Sequence, residues 1–580
     1  MIKGFTQQIQ AKDRNAPIIR PSAIYLFPFL LVTILSLCST FEINAQYTRQ
    51  DSLRGTLSEI RSCYDVTFYD LYVKVHPAQQ LIEGHNTIYY KAVKSFNRLQ
   101  VDLFANMEVL RISQNGKSLL FSREGNAIFV DFPQKQEQGI NASIRIDYRG
   151  NPKIAVNPPW DGGFSWKKDA NNKDWVTVSC EGIGASLWWP NKDHLSDEPD
   201  SMRITSAVPN GLMSVSNGNL RSTLQCNTYS KKKKKQQALS ANGYTEFEWF
   251  VSYPINNYDV TLNIADYAHI QDVYLSKDTK KKLALDYYVL KNNAEKAKVH
   301  FQQVKPMLAI YEKYFGTYPF WNDGYALVET PYWGMEHQGA VAYGNNYKNN
   351  PYGFDFIIIH ESGHEYFGNS LSCNDHAEMW IHESFTTYME AIYLESLKGY
   401  PTSVEYLIGQ KKRIQNKAPM IGPMGVNYDG PDSDIYFKGT WMLHTIRNII
   451  DNDTKWFDAL KGLTTTFARQ NVTSEQVINY FSQKTGMNLN PYFDLYLRST
   501  IIPSLEYKLQ KQGEELRVQY RWSNTPAGFS MPIVVQVGND YKKRITPTNE
   551  WQEVTLPALE NQAFKVDTSS FLIESKEVKE

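Results

Sequence analysis

Cysteine is scarce in this chain, with 5 residues among 580. The cysteine spacing matches no zinc-knuckle pattern, which argues against a cysteine-ligated metal finger. If an N-terminal segment containing Cys38 is removed on export, 4 cysteines remain, and these allow three complete disulfide pairings. They can equally stay as buried free thiols. The sequence does not choose between these states for Cys63, Cys180, Cys226 and Cys373.

An excess of either charge is also absent, because 61 basic residues are matched by 61 acidic ones. Nothing in this balance favours nucleic acid or an anionic membrane surface as a partner. The one strong basic cluster, Lys231–Lys235, lies between two strand-like stretches. A solvated hairpin loop explains it, because like charges repel each other into water. Contact with a polyanion is the alternative.

Long apolar runs are missing except near the N-terminus, where one extends from Ala23 to Leu37. That run contains Pro28 and is short for a bilayer span. Basic residues precede it and small residues follow it, which is the order of an export signal. We therefore predict a signal peptide over residues 1–45 and an exported protein, periplasmic or extracellular. An uncleaved anchor, or lipid attached to Cys38, are the alternatives that would bring the chain to a membrane.

The chain is too long for a single hydrophobic core, so several domains are expected. Apolar and polar residues mostly alternate between Tyr47 and Tyr267, as in Val66–Val73 and Asn86–Tyr90. This alternation predicts a large all-β domain over residues 46–272.

Helix-period segments dominate the middle of the chain, and residues 273–502 are predicted to form a second domain. Strands and a loop are expected at 324–343, and helices at 292–314, 354–367, 377–397, 436–450 and 474–485. Pro306 marks a kink or a break in the first of these helices. Alternation returns in residues 503–580 and predicts a small β-sandwich. The predicted fold class is therefore multidomain α+β.

The strongest signal is His360-Glu361-Ser362-Gly363-His364, which follows an apolar run. Residues four apart lie one turn apart on the same face of a helix, so both imidazoles can reach one ion. Two neutral imidazoles and a carboxylate suit zinc, with a fourth position left for water. Glu361 can lie beside that water and act as the general base. Taken alone, the motif also occurs by chance on solvated helix faces.

A third ligand has to come from another segment, and Glu383 is the best candidate. The 18 residues between His364 and Glu383 are enough to end one helix, turn and return on a second. We predict that His360, His364 and Glu383 hold one Zn²⁺ per chain. His376 falls in the inter-helix turn and is expected at the surface. His382 points about 100° away from Glu383 on a helix and is expected to pack behind the ligands.

His360-Glu361-x-x-His364 followed by Glu383 resembles the signature of the aminopeptidase N family, the gluzincin aminopeptidases. The resemblance spans about residues 47–503 of the chain. It implies a thermolysin-like, mainly helical catalytic domain between the large N-terminal β-sheet domain and the small C-terminal β-sandwich. We expect no large helical C-terminal domain, which many relatives add, and hence a more open cleft.

Trp333-Gly334-Met335-Glu336-His337 is similar to the family's Gly-x-Met-Glu-Asn motif, with Trp and His in place of the usual Gly and Asn. The resemblance implies that Glu336 binds the free α-amino group of the substrate. It also implies that Gly334 and Met335 lie beside the substrate. A carboxylate fixed beyond the metal selects a cationic N-terminus. The strand near residues 339–341 is expected to pair with the substrate backbone.

Two further segments carry the resemblance. Tyr436-Phe437-Lys438-Gly439 resembles the family's Tyr-x-Lys-Gly segment, which implies that Tyr436 donates a hydrogen bond to the tetrahedral intermediate. Residues 180–199 are similar to the segment that ends in Asp-Glu-Pro. Within it, Glu181 takes the position where many members carry a glutamine near the substrate amine. Trp188 and Trp189 are expected to pack.

These residues predict a zinc-dependent aminopeptidase that hydrolyses the first peptide bond of peptides with a free N-terminus. Its expected partners are such peptides, and no nucleic acid. A thermolysin-like zinc endopeptidase would keep the metal site without needing Glu336. A peptide-binding scaffold that has lost catalysis would need neither Glu361 nor Tyr436. Both alternatives stay open at the level of sequence.

Overall fold

Alternating apolar residues in the first half of the chain form a large region of β-sheets. The computed structural model describes residues 47–225, 243–427, 433–539, 541–558 and 563–579. Arg49–Glu580 form one compact unit, separate from Met1–Thr48. The predicted signal peptide, the Lys231–Lys235 cluster, Cys38 and Cys226 lie outside the described residues and stay predictions.

Two short helices, α1 (Arg49–Gly55) and α2 (Glu59–Ser62), come before the strands. The strands of this region are β1 (Tyr64–His76), β2 (Leu81–Ala92), β3 (Phe96–Asp102), β4 (Met107–Gln114), β5 (Lys117–Ser118), β6 (Leu120–Glu124), β7 (Ala127–Gln136), β8 (Asn141–Gly150), β9 (Gly163–Lys168), β10 (Asp174–Ser179), β11 (Ser201–Pro209), β12 (Met213–Val215), β13 (Asn219–Gln225), β14 (Tyr244–Val251) and β15 (Asn263–Ala265).

An eight-stranded sheet has the order β13-β14-β11-β1-β2-β8-β4-β5. Two smaller sheets have the orders β3-β7-β6 and β12-β15-β10-β9. In β1, the side chains of Tyr69, Leu71 and Val73 are fully buried, whereas the residues between them are partly exposed. This period of two is the pattern that the sequence predicts. The large N-terminal β-sheet domain is confirmed.

A five-stranded sheet lies between this β-region and the helices. It has the order β16-β17-β18-β20-β19, where the strands are β16 (Tyr267–Leu275), β17 (Lys282–Leu290), β18 (Tyr325–Glu329), β19 (Gly334–Met335) and β20 (Val341–Tyr343). Successive side chains of a strand point to opposite faces. Leu327 accordingly joins the core under the helices, and its neighbour Val328 joins the core of the β-region. The sheet therefore connects the two cores. Its first strand, β16, crosses position 272, the predicted boundary between the first and second domains.

Helices form most of the chain that follows. They are α3 (Ala294–His300), α4 (Val304–Phe315), α5 (Phe356–Gly363), α6 (Trp380–Lys398), α7 (Tyr400–Lys411), α8 (Phe437–Ile450), α9 (Asp453–Thr466), α10 (Ser474–Thr485) and α11 (Asn490–Arg498), with a short parallel pair between β21 (Leu371–Cys373) and β22 (Gln470–Val472).

The helix predicted at 292–314 is divided by a short 3-10 turn at residues 301–303. Pro306 lies in the first turn of α4, where a missing N–H breaks no helical hydrogen bond. Helix α10 has the bounds that the sequence predicts. A capping box fixes its first residue, because the Thr473 hydroxyl accepts from the Gln476 N–H and the Gln476 side chain accepts from the Thr473 N–H.

Two small sheets form the C-terminal region. Their orders are β27-β24-β23-β29 and β26-β25-β28, with the strands β23 (Ser504–Gln512), β24 (Glu515–Ser523), β25 (Ile533–Val537), β26 (Tyr541–Ile545), β27 (Gln552–Pro557), β28 (Phe564–Val566) and β29 (Glu574–Glu577). Leu505, Val518 and Val535 are fully buried and continue the core that lies under the helices.

Cys63, Cys180 and Cys373, the cysteines that lie in the described ranges, are buried free thiols. Burial of a thiol in apolar surroundings makes it behave as a small hydrophobic side chain. None of the helices in the described part of the chain combines the length and the apolar character needed to span a bilayer.

Leu327→Ala is expected to lower the free energy of unfolding by about 2–5 kcal/mol, because it removes fully buried methyl groups from the central strand β18. Leu120→Ala is the matched control, since Leu120 is 80% exposed and its truncation should cost under about 0.5 kcal/mol. Urea unfolding followed by tryptophan fluorescence measures both. Equal transition midpoints for the two variants would contradict the central position of the five-stranded sheet.

Candidate active site

Helix α5 carries the two histidines of the predicted metal site. Its N-cap is Asp355, whose carboxylate accepts a hydrogen bond from the Ile357 N–H at 3.1 Å. Three buried isoleucines at 357–359 fix the helix against the core. The phenol of Tyr311 donates to the Ile359 carbonyl at 2.6 Å, and one turn of helix then brings His360 and His364 onto the same side.

The three predicted ligands come together in space. Nε2 of His360 lies 3.2 Å from Nε2 of His364. Oε2 of Glu383, on helix α6, lies 3.4 Å from the first of these nitrogens and 3.5 Å from the second. These three atoms form a nearly equilateral triangle. The Glu383 atom is buried and accepts no conventional hydrogen bond from the described residues.

The other nitrogen of each imidazole is held by an acceptor. Nδ1 of His360 lies 2.8 Å from a carboxylate oxygen of Glu390, and Nδ1 of His364 lies 2.9 Å from the Phe367 carbonyl. An Nδ1–H donated to these oxygens leaves both Nε2 lone pairs facing each other and Glu383. Such outer partners fix the tautomer of a metal-binding histidine. Glu390 is itself fixed by hydrogen bonds from the Tyr406 phenol and from the Gln410 amide.

The donor set fits a zinc ion. Ligands about 2.0–2.1 Å from an ion and tetrahedrally arranged lie about 3.3 Å from each other, which is the size of the observed triangle. Burial lowers the pKa of the His364 imidazole, but Glu383 and Glu336 outweigh it and raise that pKa to about 9. The surroundings therefore favour positive charge between these groups. His360, His364 and Glu383 are the residues that can hold the metal.

Glu361 lies beside the triangle and is nearly buried. Burial raises the pKa of its carboxyl to about 8. A Cβ added to Gly334 would lie 2.4 Å from Oε1 of Glu361, so the lack of a side chain at 334 allows this close approach. Oxygens of Glu361 and Glu336 and a nitrogen of His364 lie within 4.8 Å of one another. Glu361 therefore lies next to the ligand triangle, where a general base can reach a water bound at the centre of the site.

A second carboxylate cluster closes one side of the metal site. Single oxygens of Glu181, Glu336 and Glu383 lie within 4.8 Å of one another. Glu336 is buried, and it accepts a hydrogen bond from the Tyr258 phenol at 3.1 Å. Burial and the neighbouring Glu336 raise the pKa of the Glu181 carboxyl well above its usual range. The cluster is a ready site for a second cation, such as an ammonium group.

Tyr436 immediately precedes helix α8 and faces the same cavity. Its ring centroid lies 6.0 Å from that of His360. The pKa of its phenol is raised well above the usual range by burial and by Glu383, so the group is an uncharged donor. The Ser384 hydroxyl donates to the Ile435 carbonyl at 2.6 Å, which ties the helix of Glu383 to the segment of Tyr436.

The cavity that contains these groups has a volume of about 1100 Å³. Its walls come from both regions of the chain, because Glu181 follows strand β10 and Tyr436 precedes helix α8. A volume of this size accommodates a short peptide rather than a single small ion.

The free edge of the five-stranded sheet borders this cavity. Strand β20 pairs with β18 on one side and with β19 on the other. Of residues 339–341, only Val341 belongs to β20, where it pairs with Leu327. The Gly339 N–H donates to the Glu365 carboxylate, and the Ala340 N–H donates to the His337 carbonyl. Pairing of residues 339–341 with a substrate backbone stays a prediction, and these internal hydrogen bonds argue against it. Strand β19, which contains Gly334 and Met335, lies at one edge of the five-stranded sheet, opposite the edge formed by β16, and it also lines the cavity. An extended peptide can pair with it.

Two histidines near the metal site have other positions. His376 is only partly exposed and lines the cavity, so its predicted surface position is wrong. It lies in a 3-10 turn that packs inward, and burial lowers its pKa to about 4. His382 packs behind the ligands, where its Nε2 accepts a hydrogen bond from the Cys373 N–H at 2.9 Å. Trp188 and Trp189 are fully buried packing residues.

Sequence reasoning did not identify three residues that shape the site. Glu390 follows Glu383 by 7 residues, two helical turns, so the period of α6 was a usable signal for it. Tyr258 and Trp160 come from the β-region, and no local pattern connects them with the metal helix.

Comparisons with known proteins agree with this geometry. Residues 299–496 match the family model described as the Peptidase family M1 domain. Aminopeptidase B of Mus musculus is 23% identical over 432 residues, which are 70% of this chain and 57% of that protein. Endoplasmic reticulum aminopeptidase 1 of Mus musculus is 22% identical over 234 residues, 37% of this chain and 25% of that protein. The chain thus spans 57% or less of these relatives.

Solved structures share the fold. An M1 zinc metallopeptidase from Deinococcus radiodurans superposes with a TM-score of 0.62 at 19% identity, covering 76% of this chain and 94% of that one. A mutant of an M1 zinc metallopeptidase from the same organism, bound to a Tyr-Ser-Ala substrate, gives a TM-score of 0.62 at 18% identity. It covers 76% of this chain and 96% of that one. The resemblance predicted from the sequence is confirmed.

Glu390→Gln is expected to weaken Zn²⁺ binding about 10- to 100-fold, because the amide holds the His360 imidazole less strongly than the carboxylate does. Competition with a fluorescent zinc chelator measures the dissociation constant. Glu405→Gln is the matched control, since Glu405 is exposed on the neighbouring helix α7. Equal zinc affinities of the two variants would refute the positioning of His360 by Glu390.

Proposed function

We propose that this chain, which carries a peptidase family M1 domain at residues 299–496, is a zinc-dependent aminopeptidase. The observation that supports the proposal most strongly is that a metal-ligand triangle and a carboxylate cluster lie side by side in one cavity and share Glu383. The triangle of His360, His364 and Glu383 fits one metal ion. The cluster of Glu181 and Glu336 beside it fits a substrate ammonium group.

His360, His364 and Glu383 would hold Zn²⁺. When bound, the metal supplies Lewis-acid polarisation of the substrate carbonyl and lowers the pKa of water at the site to about 7. The hydrogen bonds of the two Nδ1 atoms keep the rings oriented for that ion. The buried carboxylate of Glu390 also compensates part of its charge.

Glu361 would move the proton of the reaction. Its carboxylate lies within 4.8 Å of the Glu336 carboxylate and of a His364 ring nitrogen, next to the centre of the site. It accepts a proton from the attacking water and later gives it to the nitrogen that leaves. Because burial raises the pKa of Glu361 toward neutrality, both transfers can occur near neutral pH.

Glu336 and Glu181 would bind the α-ammonium group of the substrate. Both carboxylates lie in surroundings that disfavour additional negative charge, so a cation between them is stabilising. Tyr258 fixes the orientation of Glu336. With the amine held there, the peptide extends along the free edge of β19, past Met335 and Gly334. Only one residue then lies before the bond at the metal, which explains single-residue removal.

Tyr436 would stabilise the charge that develops on the carbonyl oxygen. Its phenol stays protonated and faces the cavity beside His360. A neutral donor fixed near the developing oxyanion lowers the barrier by about 3 kcal/mol in comparable sites.

An endopeptidase has no use for the Glu336 cluster, and a scaffold without catalysis has no use for Glu361. We also propose export of the chain through its N-terminal segment.

Hydrolysis of amino-acid aminomethylcoumarin substrates, free and N-acetylated, is the experiment that tests this function. The free amines are expected to be cleaved about 10²- to 10³-fold faster in kcat/KM, because acetylation leaves Glu336 buried without its cation. A zinc chelator should abolish the activity, and added zinc should restore it. Equal rates for blocked and free substrates would favour the endopeptidase. No hydrolysis with zinc bound would favour the scaffold.

Glu361→Gln is expected to lower kcat about 10²- to 10⁴-fold, because the amide cannot accept the proton of the attacking water. Zinc affinity should change less than about threefold, since Glu361 is outside the ligand triangle. Steady-state kinetics and metal analysis of the same preparation measure both quantities. A full loss of zinc would assign Glu361 to the metal instead of the proton.

A further inference from the structure

Two tryptophans are exposed in the cavity of the proposed active site. Trp160 is 64% exposed and Trp333 is 51% exposed, and both line the cavity that contains the metal triangle. An indole ring is among the largest apolar surfaces a protein can bury, so leaving two in water is unfavourable. Such an exposed apolar pair in a cavity marks a place where a ligand is bound. Six of the chain's other tryptophans are fully buried, namely Trp188, Trp189, Trp380, Trp441, Trp456 and Trp522.

The two rings form a corner. Their centroids lie 5.7 Å apart and their planes meet at 68°. The other side of Trp333 packs edge-on against Phe356, at 5.9 Å between centroids. Phe356 begins helix α5, one turn before His360. The corner is therefore attached to the helix that holds the metal ligands.

Trp160 sits on a loop that is fixed at its base. The Lys153 ammonium group donates to the carbonyls of Asp161 and Gly162, at 2.5 and 2.8 Å. The Asp161 carboxylate accepts a hydrogen bond from the Val156 N–H at 2.6 Å. A ring held in this way loses little conformational entropy when a ligand packs against it.

The position of the corner along β19 decides which part of a peptide it meets. Glu336 follows this edge strand and Trp333 precedes it, so the two are three residues apart. At about 3.3 Å per residue they are separated by about 10 Å, the length of three residues of extended peptide. A peptide whose amine is held by Glu336 and which pairs with β19 runs antiparallel to it. The part of the peptide on the C-terminal side of the cleaved bond therefore passes Trp333.

We propose that Trp160 and Trp333 form a subsite for a large apolar side chain, aromatic in particular, in the second or third residue of the peptide. This inference rests on the proposed function, because the direction of the peptide follows from the amine site. The residues that remain after cleavage thus contribute to substrate selection. Serine or glycine at the same peptide position leaves both rings exposed to water.

Calorimetric binding to the zinc-loaded Glu361→Gln variant tests the subsite without turnover. The ligands are alanine tetrapeptides that carry phenylalanine or serine at the second or third position. Phenylalanine at one of these positions should lower the dissociation constant about tenfold relative to serine. Adding Trp333→Ala, or Trp160→Ala, to this background should reduce that ratio to about two or less. Trp333→Phe should keep part of the preference.

Trp551→Ala is the matched control in the same background, because Trp551 is 39% exposed and lies next to strand β27 of the C-terminal region. It should leave the phenylalanine preference intact. The subsite is refuted if serine and phenylalanine peptides bind equally, or if the preference survives loss of both tryptophans. Binding is read independently of hydrolysis. If the aminopeptidase assay shows no activity but phenylalanine peptides still bind more tightly than serine peptides, the proposed function is refuted and the subsite is not.

Discussion

Four carboxylates, those of Glu181, Glu336, Glu361 and Glu383, converge beside two imidazoles, and the organisation of the site follows from the need to balance their charge. Glu181, Glu336 and Glu361 have raised pKa values, to which burial and the neighbouring carboxylates both contribute. Burial would raise the pKa of Glu383 as well, but the two histidines lower it. Uncompensated negative charge in such a place is costly. Under the proposed function, a divalent metal and an ammonium group would together supply the compensation, so one electrostatic condition would select both the cofactor and the end of the substrate.

The five-stranded sheet makes this concentration of charge possible. Its alternating side chains join two hydrophobic cores, and so a carboxylate from the β-region and ligands from the helices are held in one rigid frame. Strand β19 is the edge of that sheet, with Glu336 just after it. Gly334 on the same strand leaves room for Glu361 to approach from helix α5. The two residues of strand β19 thereby position the proposed amine site, the proposed base and the proposed edge for peptide pairing.

Local periodicity explains which parts of this arrangement the sequence could predict. The histidine pair and Glu383 lie on helices, where spacing determines the face of a residue, and the same rule extends to Glu390 two turns later. Helix α10 has its predicted bounds, and the groups that end it are local, a capping box at Thr473 and a glycine at position 486. The helix expected at 354–367 ends at Gly363, since the chain turns back and the Phe367 carbonyl meets the ring of His364. Contacts of Tyr258 and Trp160 with the site are long-range, and no spacing in the sequence encodes them.

His376 shows the limit of assigning turns to the surface. The turn between two helices was expected to be solvated, but here the β-region covers it and makes it a wall of the cavity. The same covering places the loop of Trp160 opposite Trp333. Along β19 the cavity therefore changes from acidic, at Glu336, to aromatic, at Trp333, within about 10 Å. A peptide with a charged amine and an apolar residue behind it would match this gradient in one direction only, so under the proposed function the two ends of a single strand would define the orientation of the bound peptide.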